Sequence, residues 1–166
     1  MQGDDVLLTI AQVAVTFAGF SSVVVVFGQR AVGRWSEEDF VRFAFLIASS
    51  LVVVFLAFLP IFLRLLHCRD AATWGISSAI LGAAAAILTA AAWRNVLRVR
   101  SKQPGFIGAT VVNSLLRGAA FILQVLNLIG PFDHEAGPYV VGAGLLMLTA
   151  AAPFGALLYS GIERDT

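Results

Sequence analysis

FAFLIASSLVVVFLAFLPIFL, residues 43 to 63, carries no formal charge and is closed at its two ends by Arg42 and Arg64. On a helix rising about 1.5 Å per residue, those two arginines stand about 33 Å apart. The hydrocarbon core of a bilayer is about 30 Å thick, so each cation can reach its own interface by snorkelling while everything between them sits in lipid. The stretch reads as a membrane-spanning helix with arginine anchors.

The rest of the chain agrees. Its 166 residues are 59 % hydrophobic and 13 % charged, with a mean hydropathy of +0.89. Soluble domains carry about 25 % charged residues, and a chain this short has no soluble core large enough to hide so much apolar surface. Five apolar stretches are long enough to cross: residues 6 to 27, 40 to 66, 73 to 96, 106 to 129 and 139 to 162. All connections are short, which makes sequence neighbours spatial neighbours. The fold class expected is all-α: residues 1 to 166 form a single integral membrane domain, a polytopic, up-and-down bundle of five transmembrane helices.

Orientation follows from the basic residues. Five crossings put Arg30, Arg34, Arg42, Arg94, Arg98, Arg100, Lys102 and Arg164 on one side and only Arg64 and Arg69 on the other. By the positive-inside rule the N-terminus lies outside and the C-terminus in the cytoplasm. The N-terminal MQGDDVLL is acidic, and the apolar run behind it exceeds a signal-peptide core, so it reads as a retained span.

Local signals fit the same frame. Ser36 can cap the second helix, with Asp39 reaching back and Glu37 and Glu38 on the positive end of its dipole. Gly130 and Pro131 close one helix, and the next restarts after Gly137 with Pro138. In the third span, Gly75, Ala79 and Ala83, or Ser78, Gly82 and Ala86, allow close helix packing, which places this helix at the bundle centre or at a subunit contact. The basic connection WRNVLRVRSKQPGF can hold anionic lipid, although orientation alone explains its charge.

Arg117 belongs to neither side. With Asn113, Gln124 and Asn127 it falls within an arc of about 80° on the fourth helix, so the four residues form a stripe. A central arginine costs about 2.5 to 3.5 kcal/mol in lipid, which turns this face toward protein or water. Thr9, Gln12, Thr16 and Gly19 form a similar stripe on the first helix, and depth matching pairs the two faces as a polar seam. No span has an acidic residue in its interior, so Arg117 must be served by amides, hydroxyls, carbonyls, water or an anion.

Catalytic chemistry has little support. The single cysteine, Cys68, excludes a disulfide within the chain. His67, Cys68, Asp70, Asp133 and His134 could crowd the outer rim, but without metal-motif spacing they read as loop charge rather than a metal site. No nucleotide loop or nucleophile elbow is present, and Gly142 with Gly144 reads as packing. The chain is expected to be no enzyme, to need no cofactor and to bind no nucleic acid.

The first span, LLTIAQVAVTFAGFSSVVVVF at residues 7 to 27, resembles a broad group of small uncharacterised bacterial multi-pass inner-membrane proteins, whose first helix carries an acidic residue followed by VxxxFxGFxxxV. The resemblance implies a bacterial cytoplasmic membrane and no defined activity. Gln12 stands at the acidic position, which speaks against a proton- or cation-linked role there.

Two functions are therefore expected of this composition and these stripes. One is a small channel or transporter, self-associating because five helices leave limited room for a pore, with Gln12, Thr16, Asn113, Arg117, Gln124 and Asn127 lining a polar path. The other is a non-catalytic interaction or scaffold subunit whose intramembrane polar residues hold helices or partners together.

Overall fold

A computed structural model describes residues 2–32, 37–99, 104–130, 132 and 135–163. All regular structure among them is α-helical: α1 Gln2–Val32, α2 Glu37–Leu65, α3 Asp70–Val99, α4 Pro104–Ile129 and α5 Ala136–Glu163. Helices are the expected solution for such a chain, because an α-helix satisfies its backbone polar groups internally where no water can. Four contain segments long and apolar enough to cross a membrane: Asp4–Val23, Phe43–Leu65, Asp70–Arg98 and Ile107–Ile129. In α5 the apolar segment takes in Ala136–Ala151.

Two helix ends show why the chain turns where it does. After α2, the His67 amide donates to the Arg64 carbonyl at 2.9 Å and the Cys68 amide to the Leu63 carbonyl at 3.1 Å. This is a Schellman closure, with His67 at φ 59° in the left-handed position usually given to glycine. Histidine is among the residues that tolerate this region best, and it thereby has a structural role. After α4, Gly130 takes φ 103°, as its place behind the last helical turn predicts. Ser36, Pro131, Asp133, His134, Arg100 and Lys102 lie outside the described residues, so the capping, rim and basic-loop expectations that rest on them do too.

Successive helices run in opposite directions. Asp4 near the start of α1 meets Arg64 at the end of α2, Ser78 of α3 meets Asn127 of α4, and Gln124 of α4 meets Pro138 of α5. The bundle centre belongs to α5, which packs against all four other helices; α3, the helix expected there, packs against α2, α4 and α5. The reason is the inward surface of α5: Gly142, Ala143 and Ala150 are small enough for several backbones to approach, while Leu146 and Tyr139 fill the space between them. On α3 only one of the two small-residue rows is used, since Ser78 and Gly82 are buried and Ala79 and Ala83 exposed.

The core is continuous from Leu7, Ile10 and Ala14 of α1 through Val53, Leu56 and Ala57 of α2 to Leu81 and Ala85 of α3. Outside it the surface is apolar too: Phe55, Phe62, Ile76, Ile87, Leu115 and Ile122 are all exposed. A surface of large apolar side chains around a core holding Arg117, Gln124 and Asn127 inverts the soluble pattern, and a lipid solvent accounts for it.

Candidate functional site

The stripe on α4 faces inward. Asn113, Arg117, Gln124 and Asn127 are each buried, Arg117 to 1 % exposure, in the groove where α4 lies against α3 and α5. From Asn113 to Asn127 they mark a column about 21 Å long at the helical rise.

Asn127 closes one end. Its Nδ2 donates to Oγ of Ser78 at 2.9 Å and to the Glu135 carbonyl at 3.1 Å, tying α4 to α3 and to the residue before α5. One turn away, Nε2 of Gln124 donates to the Pro138 carbonyl at 3.0 Å. Two glycines make room for that side chain. A Cβ at Gly142 would overlap Gln124 Nε2, and one at Gly82 would meet Gln124 Cβ at 3.5 Å. The amide thus lies in a slot cut by the missing side chains of α5 and α3.

Arg117 sits deeper. Its Nη1 points at the Leu88 carbonyl from 3.4 Å and its Nη2 at Oγ1 of Thr149 from 3.5 Å, both beyond the usual range of 2.7 to 3.2 Å. Thr149 uses its own proton on the Leu146 carbonyl at 2.7 Å, which leaves its lone pairs for the guanidinium. The guanidinium carbon is 5.0 Å from the ring centre of Phe45, so the side chain reaches α2 although α4 and α2 do not pack together. Nε has no hydrogen-bond partner, and no carboxylate neutralises the charge among the described residues. A guanidinium offers five N–H donors, and here most of that capacity is unspent. The same holds for acceptors: Oδ1 of Asn113, Oε1 of Gln124 and Oδ1 of Asn127 are buried without partners.

The seam expected between α4 and α1 does not form within the subunit. Among the described residues helix α1 packs on α2 and α5 and not on α4, and Gln12 and Thr16 are exposed. Physically, α5 has the glycine and threonine that receive the α4 stripe, and it takes the place that depth matching assigned to α1. Thr9 and Thr16 satisfy their hydroxyls on their own helix, donating to the Asp5 and Gln12 carbonyls at 2.8 Å each.

A second polar cluster was not anticipated. Arg64 Nη1 grips both carboxylate oxygens of Asp4 at 2.7 and 2.8 Å, and its guanidinium lies 4.9 Å from the Trp74 ring centre. Trp74 in turn packs at 5.8 Å on Tyr139, whose hydroxyl donates to the Leu56 carbonyl at 2.5 Å. That carbonyl is available because Pro60, four residues on, has no N–H to offer it. Charge and proline spacing held both clues: Asp4 and Arg64 belong to one predicted face of the membrane, and a mid-helix proline always leaves a carbonyl in search of a donor. This cluster clasps α1, α2, α3 and α5 together.

Among the described residues, which do not include Asp133 and His134, no group of three or more histidines, cysteines or carboxylates converges. The column instead offers a fixed positive charge, spare donors and a wall of Phe45, Leu88 and Thr149. Comparison with protein-family models, with curated proteins and with solved structures finds no match to this chain.

Proposed function

We propose that the chain crosses the bilayer five times, with its N-terminus outside and its C-terminus in the cytoplasm, and carries an anion or anionic small solute past Arg117. The 28 residues of α5 extend about 42 Å, enough for a fifth crossing. The basic residues divide eight to two between the two sides, which supports the orientation. The resemblance of the first helix supports a bacterial cytoplasmic membrane. Burial of the column from the surface supports a carrier that opens to one side at a time rather than a standing pore, with its path inside one subunit.

One observation carries the reading: the Arg117 guanidinium is buried, without a carboxylate partner among the described residues and with donors to spare. An intramembrane cation costs the protein insertion energy, and such residues commonly serve transport. In this role Arg117 attracts the anion and the Asn113 amide N–H supplies a further hydrogen bond, while Thr149, whose proton is spent on the Leu146 carbonyl, orients the guanidinium. Gln12 and Thr16 drop out of the path because they face outward.

The test is anion uptake into vesicles reconstituted with the purified protein, with chloride and nitrate as probes. Wild type should take up anion, and Arg117→Gln should slow it about tenfold or more while eluting normally from a sizing column. Equal uptake by the two proteins would sink the proposal. The scaffold reading has one observation of its own, the Gln124 amide wedged between Gly82 and Gly142, which is how polar groups glue membrane helices together. On that reading Arg117→Gln disturbs assembly and no protein transports anions.

A further inference from the structure

Helix α1 presents a face that lipid does not suit. Asp5, Thr9, Gln12, Thr16, Gly19 and Val23 are all exposed, and they follow one another at intervals of 4, 3, 4, 3 and 4. That is the seam spacing of a left-handed helix pair. Elsewhere the exposed surface is built from large apolar side chains such as Phe55, Ile87 and Ile122. Here Thr9, Gln12, Thr16 and Gly19 make it polar or small over about three turns, and a shallow groove lined by Thr16, Gly19 and the apolar Phe20 and Val23 continues it.

Among the described residues nothing accounts for this face. A Cβ on Gly19 would meet no atom within 4 Å, so the glycine makes no room for any neighbour in its own chain. The threonine hydroxyls are satisfied locally, and at Gln12 the backbone carbonyl accepts from Thr16, but among the described residues no hydrogen bond holds its carboxamide. Gln12 lies eight residues beyond Asp4, about 12 Å along the helix from the end that Arg64 clasps. At that depth a carboxamide needs both an acceptor and a donor from protein.

We infer that α1 is the seam of a parallel homodimer in which the two Gln12 side chains pair across a two-fold axis along the membrane normal. The occupant is a second copy because a carboxamide is both donor and acceptor. Two-fold symmetry sets an identical group opposite it at identical depth, so each amide completes the other. Gly19 lets the backbones approach, and Thr9 and Thr16 add small side chains on either side of the pair. The inference rests on α1 lying in the bilayer and is independent of transport.

The experiment uses the full chain in native membranes. In a Cys68→Ser background, Thr9→Cys and Thr16→Cys should form disulfide-linked dimers under mild oxidation, and Ile122→Cys on the lipid-facing side of α4 should not. In lipid particles extracted without detergent, subunit counting should find pairs, and Gln12→Leu should loosen them about five-fold to thirty-fold. Single subunits throughout, links at Ile122→Cys as strong as at Thr16→Cys, or a Thr16→Cys adduct with a different protein would each overturn the dimer. A monomer that moves anions refutes only the dimer, and a dimer that moves none refutes only transport.

Discussion

Helices α4 and α1 carry nearly the same polar stripe and point it in opposite directions. In α4 the stripe is sealed against α3 and α5, whereas in α1 it looks out of the subunit. The charge of Arg117 drives one stripe inward, but glutamine occurs in both, so the amide by itself does not decide the direction. What differs is whether a neighbour has removed its own side chains to receive the amide. Gln124 has Gly82 and Gly142 beneath it; Gln12 has nothing. An inward polar face in lipid is thus as much a property of the receiving helix as of the helix that carries it.

The sharpest way to break this contrast is to fill the slot. Gly142→Leu should destabilise the subunit by about 1 to 3 kcal/mol, because the new side chain and Gln124 cannot share the space. Thermal unfolding of the purified protein reads this out, and an unchanged melting temperature would mean that Gln124 is not held there. A smaller effect separates the hydroxyls. Tyr139→Phe leaves the carbonyl freed by Pro60 without its donor and should cost about 1 to 2 kcal/mol, while Thr16→Val, which removes only a bond within α1, should stay within about 0.5. Equal losses at the two positions would erase the distinction between a bond across helices and one within a helix. Smallest of all is Gly19→Leu, expected to leave subunit unfolding within about 0.5 kcal/mol of wild type because its Cβ meets open space. The same variant should still lower the fraction of paired subunits, which subunit counting measures.

Much of this was legible in the sequence, and the parts that were not share a cause. Helix positions follow from apolar run length, and the burial of Arg117, Gln124 and Asn127 follows from the cost of exposing them to lipid. Periodicity gives the angle of a stripe on its own helix, but it says nothing about which neighbour stands at that angle. The partner of α4 therefore had to come from packing, and depth matching chose α1 where the structure has α5. Gly82 and Gly142 were readable as packing residues without any sign that they pack on the same amide. The Asp4–Arg64 clasp is not evident from the sequence because Arg64 reads as an interface anchor and Asp4 as part of an acidic N-terminus, although α1 and α2 run oppositely and bring those ends together.

The central place of α5 has a consequence for biosynthesis. Arg117 and Thr149 are 32 residues apart, so at ordinary synthesis rates of 5 to 20 residues per second the guanidinium emerges about 2 to 6 s before the hydroxyl that meets it. Throughout that interval α4 has α3 on one flank and neither Gly142 nor Thr149 on the other. Leaving the insertion machinery is then governed less by the hydrophobicity of α4 itself than by the arrival of the helix behind it.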